Sequence, residues 1–157
     1  MGRTPRVLID IGAQQTRVVA GVGQAPGATM ELALGVVHTA ERFFKHDPPS
    51  PHEIESAIDV VEDEVMRARA MVPRGSALIA EGAALREFGN TAGSAATDGV
   101  VTLEVVEQIF QRLASESLGN PMARQGFPAG NTFAATALIL REFMHHLGFA
   151  SVRFPAK

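Results

Sequence analysis

The hydrophobic pattern near the N-terminus predicts three strands in succession. Val7–Ile11 is a short apolar run typical of a buried strand, and Arg17–Val22 follows a polar turn as its hairpin partner. A second turn over Gly23–Gly27 leads to a third strand, Thr29–Val37, in which apolar and polar positions alternate. Strands joined by such short turns predict antiparallel pairing where the sheet begins.

The next segment has the strongest helix signal in the chain. Ser50 suits the N-cap, Pro51 the first helical position, and Glu53 completes a capping box with Ser50. Apolar residues then recur at intervals of three and four as far as Ala68, and Pro73 marks a stop. This pattern predicts a helix with one buried stripe.

Short strands and helices alternate after Pro73. In chain order, the pattern predicts a strand at Ser76–Ala80, a helix at Glu81–Phe88, a loop at Gly89–Gly99, a helix capped by Thr102 and ending at Glu116, a loop at Ser117–Phe127, a helix at Thr132–Leu147 with Gly148 as its C-cap, and an edge strand at Ser151–Phe154. The whole pattern predicts an α/β protein with a mixed sheet flanked by helices.

Size and composition narrow the functional classes. The 157 residues suit one compact domain, and we expect a complete single-domain protein over residues 1–157, running from Met1 to a final strand. The net charge of −3 argues against a nucleic-acid partner bound through its phosphates. The chain has no cysteine, no apolar run near the ~20 residues of a membrane helix, and no signal-peptide pattern. We therefore expect a cytoplasmic protein without a membrane partner.

Residues typical of catalytic and metal sites form no convincing constellation. His145 and His146 are adjacent, so on a helix they point about 100° apart and cannot both face one metal ion. No glycine-x-serine-x-glycine elbow occurs. A run of carboxylates indicates a solvated helix face: Glu53, Glu55, Glu62, Asp63 and Glu64. We assign no catalytic residue.

Three groups of motifs occur in the order of a known family. Asp10–Gly12 and Thr16 match the start and end of an aspartate-isoleucine-glycine-glycine-glycine-serine-threonine loop. Leu34–Phe43 is similar to the third strand and following helix of that family, and Leu78–Ala83 lies where a second, glycine-glycine-threonine loop belongs. The chain thus resembles the second, C-terminal lobe of the exopolyphosphatase/guanosine pentaphosphatase (Ppx/GppA) family. The resemblance implies an actin-like (ribonuclease-H-like) half-domain, with a mixed sheet that starts with three antiparallel strands.

The resemblance also implies a phosphate-binding site. In this sequence its residues would be Asp10, Gly12, Gln14, Gln15, Thr16 and Gly82. Asp10 would in addition hold a magnesium ion through bound water, and no other cofactor is implied. The alternative for Asp10 is structural, because an aspartate after a strand often accepts hydrogen bonds from its own turn.

The departures from the family pattern weaken both phosphate loops. Ala13–Gln15 replaces two glycines and the serine, and Arg17 stands at a glutamate position. Glu81 and Ala83 replace glycine and threonine in the second loop. Glycine lets backbone amides approach phosphate closely, whereas a carboxylate repels it. The resemblance further implies that the water-activating glutamate belongs to the other lobe.

These observations leave three functions open. The first is a degenerate exopolyphosphatase-related domain, weak or inactive alone, that acts as a phosphate-ligand-binding or assembly module. The second is a magnesium-dependent phosphoric anhydride hydrolase, an exopolyphosphatase or nucleotide phosphohydrolase active only as a dimer or with a partner lobe. The third is a structural domain whose site has decayed. A single lobe leaves one face uncovered, so we expect a homodimer or a partner lobe.

Overall fold

The structure is a computed structural model that describes residues 4–22, 25–93 and 98–155. Its strands form one mixed sheet in the order β3-β2-β1-β4-β6-β5. They are β1 Pro5–Ile11, β2 Thr16–Val22, β3 Ala25–Leu32, β4 Ala77–Glu81, β5 Val100–Thr102 and β6 Ser151–Arg153. The first three pair antiparallel, β1, β4 and β6 run parallel, and β5 is antiparallel to β6. The predicted mixed α/β sheet with three antiparallel strands at one edge is confirmed.

Five α-helices accompany the sheet in the part of the chain that the structure describes. They are α1 Val36–Phe43, α2 Pro51–Met66, α3 Ala83–Thr91, α4 Leu103–Ser117 and α5 Thr132–Leu147. Helix α5 contacts the other four and is buried almost continuously from Phe133 to Met144. A helix that is apolar on nearly every side belongs in the interior, so α5 is the centre of the helical layer. No helix among the described residues is long and apolar enough to cross a membrane.

The first strand places the site relative to the core. Val7, Ile9 and Ile11 are almost completely buried, whereas Leu8 and Asp10 between them are only half-buried. Alternate side chains of a strand point to opposite faces. The apolar residues therefore secure β1 in the core, and Asp10 projects from the other face near the end of the strand.

The start of α2 confirms the predicted capping box. The Ser50 hydroxyl accepts a hydrogen bond from the Glu53 amide at 3.2 Å, and Oε1 of Glu53 accepts one from the Ser50 amide at 2.9 Å. The second carboxylate oxygen accepts from the Lys45 amide at 3.2 Å and lies 2.8 Å from Nδ1 of His46. Burial raises the pKa of Glu53, but these hydrogen bonds outweigh it and hold the pKa below its ordinary value.

Replacing Glu53 with glutamine should lower the free energy of unfolding at pH 7 by about 0.3–1 kcal/mol, because the amide can keep the capping box but removes the negative charge at the start of α2. The folded-state pKa is depressed, so the carboxylate stabilises the fold fully above its unfolded pKa of about 4.3. This contribution disappears as pH falls through the folded pKa. Urea unfolding of E53Q and wild type from pH 7 to 3 should show a converging difference, whereas E55Q, at an exposed position of α2, should change little. A difference independent of pH would contradict the assignment.

Two predicted strands differ from the structure. The third runs over Ala25–Leu32 rather than Thr29–Val37, so its start falls within the predicted turn. Val36 begins α1, because the carbonyls of Gly12 and Ala13 accept hydrogen bonds from the first amides of that helix. The predicted C-terminal strand is present over Ser151–Arg153, but its predicted edge position is wrong, because β6 lies between β4 and β5. The edge strand β5 was missed because three residues are too short to show a period.

The predicted loops and turns also need correction. Residues 89–91 of the predicted loop belong to α3, and residues 94–97 lie outside the described residues, as do 23 and 24 of the predicted turn. Gly89 continues the helix and packs against Phe154; a Cβ at Gly89 would lie 2.8 Å from that ring. Within the predicted loop 117–127, Pro121–Arg124 forms a 3₁₀ helix.

Arg124 joins the segment before α5 to two others. Its guanidinium donates to Glu116 at 3.1 Å, to Asp47 at 3.0 Å and to the carbonyl of Gly130 at 2.7 Å. Burial lowers the pKa of Arg124, but the hydrogen bonds and negative charges of Glu116 and Asp47 raise it above its ordinary value. Nearby, the side-chain amide of Asn131 donates to the His46 carbonyl at 2.9 Å. The segments before α2 and before α5 are thus held together.

Candidate functional site

The parallel strands β1 and β4 end side by side. Asp10 of β1 pairs in register with Glu81 of β4, and Gly82 follows as the N-cap of α3. In open α/β sheets, ligands bind in the crevice beyond the carboxyl ends of parallel strands. The structure therefore brings two predicted site residues, Asp10 and Gly82, to a place where a ligand crevice is expected.

Asp10 and Gly82 are in direct contact. A Cβ built on Gly82 would overlap Oδ1 of Asp10 and would lie 2.8 Å from its Cγ. Gly82 has φ 93° and ψ 166°, a backbone conformation that is almost confined to glycine. Glycine at this position thus allows both the sharp entry into α3 and the close approach of the Asp10 carboxylate.

The turn between β1 and β2 is held by backbone hydrogen bonds to the start of α1. The carbonyl of Gly12 accepts from the Val36 amide at 2.9 Å, and that of Ala13 accepts from the amides of Val37 at 3.0 Å and His38 at 3.1 Å. Gly35 packs so closely that a Cβ there would lie 2.5 Å from the carbonyl carbon of Ala13. The first amides of α1 therefore bind the chain itself, and the turn is fixed in place.

The remaining predicted phosphate ligands are arranged differently. Thr16 is fully buried, and its hydroxyl donates to the Leu34 carbonyl at 2.9 Å. Gln14 and Gln15 are exposed at the tip of the turn, whereas Gly12 lines a cavity beside Asp10. The structure thus groups Asp10, Gly12 and Gly82, and gives Thr16 a structural hydrogen bond. The binding roles of all six residues stay predictions.

Two open cavities meet at Asp10. The first, which we call the hairpin cavity, has a volume of about 420 Å³ and is lined by Asp10, Ile11, Gly12, Ala13, Val36, Val37, Ala83, Ala84, Glu87, Thr132 and Thr136. The second, the Phe154 cavity, has a volume of about 470 Å³ and is lined by Asp10, Ala80, Glu81, Gly82, Leu85, Arg86, Phe154 and Pro155. The first turn of α3 borders the hairpin cavity, and the free amides of a helix N-terminus favour an anion.

The charges around these cavities are mixed. Carboxylates of Asp10 and Glu87 line the hairpin cavity, and the guanidinium of Arg86 and the carboxylate of Glu81 line the Phe154 cavity. Sequence reasoning missed Arg86 and Glu87. Their position one turn after Gly82 was the available signal, since residues of that turn lie beside the ligand crevice when α3 begins at the end of β4.

A model of the Ppx/GppA phosphatase family matches residues 2–154. The chain belongs to the Ppx/GppA phosphatase family. The predicted family is confirmed, and the match covers nearly the whole sequence. No curated protein matches the chain.

Solved structures of Ppx/GppA proteins share this fold. The PPX-GPPA enzyme of Aquifex aeolicus superposes with a TM-score of 0.76 at 16% identity over 97% of this chain and 53% of its own. An exopolyphosphatase from Cytophaga hutchinsonii gives 0.75 at 12% identity over 99% and 54%. An exopolyphosphatase-like protein gives 0.68 at 18% over 97% and 54%. These identities establish the fold alone, and the chain spans about half the length of each of these proteins.

Proposed function

We propose that this Ppx/GppA domain binds a phosphate-containing small molecule at Asp10 and Gly82, and that alone it is weak or inactive as a phosphohydrolase. The observation that supports binding most directly is the contact between Asp10 and Gly82 where the two cavities meet. A half-buried carboxylate packed against a glycine in a backbone conformation almost confined to glycine is costly, and such features gather at functional sites.

The weak-activity part of the proposal rests on missing phosphate donors. Ala13 puts a Cβ where a phosphate would need to approach the backbone closely. The first amides of α1 already donate to the carbonyls of Gly12 and Ala13, so they are not available to an anion. The anion would therefore depend on the first turn of α3 and on Arg86, against the negative charges of Glu81 and Glu87. Phosphoryl transfer needs positioned donors as well as a metal ion and an oriented water, and the two loops of this chain supply few such donors.

Magnesium suits the donor set of the hairpin cavity. Asp10 and Glu87 line the same cavity, and magnesium is usually bound by one or two carboxylates, several waters and substrate phosphates. A bound ion would supply positive charge that offsets the two carboxylates. Asp10 would hold such an ion through water, and Glu87, reaching from α3, would help to orient that water.

We also propose that a second copy, or a separate partner chain, covers the cavity side of the domain. Both cavities are open to solvent, and the chain spans about half the length of its structural relatives. A homodimer would use the same patch on both copies.

Thermal unfolding with ligands tests the binding proposal. With magnesium and short polyphosphate, ATP or a guanosine nucleotide, a ligand at a hundred times its dissociation constant adds about 2.7 kcal/mol, which raises Tm by about 5–10 °C. D10N should lose this shift, and D59N, which changes an exposed carboxylate of α2, should keep it. No shift in the wild type with any of these ligands at millimolar concentration would contradict phosphate binding.

The second candidate is a phosphohydrolase that works only as a dimer or with a partner lobe. The carboxylates of Asp10 and Glu87 beside one cavity favour it, because they can hold a catalytic magnesium ion. Phosphate release from polyphosphate or guanosine pentaphosphate, with and without magnesium, separates the candidates. It is measured over a range of protein concentrations, and light scattering gives the dimer fraction at each. Activity that rises with the dimer fraction and is lost in D10N would establish the enzyme, and its absence at every concentration would exclude activity as a homodimer.

A further inference from the structure

A cluster of possible metal ligands lies between α2 and α5, far from the hairpin cavity. Nε2 of His146 is 3.1 Å from Oε1 of Glu142 and 3.9 Å from Oε2 of Glu62. One ligand atom from each of the three side chains lies within 4.8 Å of the others. Thr132, which borders the hairpin cavity, begins the same helix, and at 1.5 Å per residue the two places are about 20 Å apart.

We propose that Glu62, Glu142 and His146 form a binding site for a divalent transition-metal ion of the zinc type. Metal–ligand distances of about 2.0–2.1 Å in a tetrahedral arrangement put ligand atoms about 3.3 Å from each other. The observed separations of 3.1 and 3.9 Å lie on either side of this value. Closing the set around an ion would need a movement of Glu62, whose carboxylate lies farther from His146 than that of Glu142 and whose side chain is half-exposed.

The chemistry of the ligands selects the kind of ion. Imidazole suits zinc and its transition-metal neighbours, whereas magnesium and calcium prefer sites made only of oxygen. Two carboxylates and a neutral imidazole give the site a charge of −2. The guanidinium of Arg141 beside Glu142 reduces this negative charge but does not cancel it. These three side chains therefore suit a cation of intermediate softness, such as zinc.

Supporting contacts already orient the buried ligand. The side chain of Glu142 is only 3% exposed, and its second oxygen accepts from Arg141 at 2.6 Å. Arg141 is itself held by Glu107 at 2.5 Å and lies over the Phe110 ring at 4.5 Å. Because such outer contacts fix the direction of a ligand, Oε1 of Glu142 is left pointing to His146 without further adjustment.

The His146 side of the cluster borders a cavity of about 390 Å³ at the C-terminal end of α5, where Arg69 and Arg74 are also found. This cavity has room for a water or a small anion as a further ligand beside His146. Glu62 belongs to α2 and the other two ligands to α5, so the ion would link two helices and stabilise the folded chain.

Calorimetric titration of the full, tag-free chain with zinc chloride tests the proposal. We expect one saturable equivalent and a rise in Tm of about 5–10 °C at a hundredfold excess over Kd. E62Q and H146Q should each weaken binding by about tenfold or more. H145Q, which changes the adjacent exposed histidine, should bind zinc as the wild type does.

Each other outcome overturns the proposal. No saturable binding below about 100 μM would remove the site, because zinc held by protein side chains is commonly bound much more tightly than this at pH 7. Equal loss in H145Q and H146Q, or full binding in E62Q, would place zinc elsewhere on the surface. Magnesium that displaces zinc at a similar concentration would contradict the assigned ion type. Glu62 and His146 are both partly exposed, so the variants should fold, which far-ultraviolet circular dichroism checks.

Discussion

Replacing Gly82 with alanine should lower the free energy of unfolding by about 3 kcal/mol, or about 10 °C in Tm. Two costs combine in this change. The backbone at φ 93° and ψ 166° is nearly closed to residues with a side chain, and the new methyl group would overlap the carboxylate of Asp10. Urea and thermal unfolding of the variant measure the sum. The rise in Tm on adding a phosphate ligand should also vanish, because the methyl group would displace the Asp10 carboxylate.

Two further variants separate these costs. Gly75 also has positive φ, at 77°, but a Cβ there meets nothing within 4 Å, so G75A should cost only about 1 kcal/mol. D10A removes the overlapping atoms, so in that background G82A should cost at least about 1 kcal/mol less than in the wild type. Equal effects of G75A and G82A, or strict additivity with D10A, would contradict the close contact at the site.

Replacing Arg124 with methionine should lower the free energy of unfolding by about 3 kcal/mol. The change keeps most of the side-chain volume but removes every hydrogen bond of the guanidinium. Glu116, with a side chain only 8% exposed, would lose its partner at 3.1 Å and remain a buried charge. The carbonyl of Gly130 and the carboxylate of Asp47 would lose their donor as well. Chemical denaturation at neutral pH measures the loss.

Arg112 offers a matched control in the same region. It donates to the Ala123 carbonyl at 3.0 Å and lies over the Phe127 ring at 4.0 Å, but it is exposed and pairs with no buried acid among the described residues. R112M should therefore cost less than about 1 kcal/mol. Adding E116Q to R124M should recover part of the loss, because the unpaired charge is gone. A loss in R112M as large as in R124M would show that loop contacts, and not the charge pair, dominate.

Local elements with strong end signals were predictable from the sequence. The capping box of Ser50 and Glu53 depends on residues three apart, and both of its hydrogen bonds are present. Helix α5 begins at Thr132 and ends at Leu147 as predicted, with Gly148 in the left-handed conformation at φ 79°. The residues of each signal lie close together in the sequence, so the interactions that cap a helix do not depend on distant segments.

Elements that depend on distant partners were not predictable in the same way. Val36 and Val37 suit a strand by composition, but the carbonyls of the β1–β2 turn accept their amides and start a helix. The three-residue strand β5 exists because it pairs with β6, which the chain reaches almost fifty residues later. Propensity decides little in such short segments, and tertiary pairing overrides it.

The candidate site, too, was predictable in part. Asp10 at the end of a buried strand and a glycine at position 82 were visible in the sequence, as was the Ppx/GppA pattern in which they occur. The overlap that forbids a side chain at Gly82, and the buried hydroxyl of Thr16 on the Leu34 carbonyl, were not. A motif specifies residue types, whereas a contact needs the register of two strands.

By itself the sequence determined the family, the α/β class and the helices with clear caps, because each depends on short-range spacing or on an ordered set of motifs. Tertiary structure alone decided the strand order at the β5 edge, the cavities at Asp10 and the meeting of Glu62 with His146 across α2 and α5. Glu62 and His146 are 84 positions apart in the sequence, and a helical pattern places each on its own helix without saying which helices pack together. Only the packing of the shared core determines that α2 and α5 lie side by side.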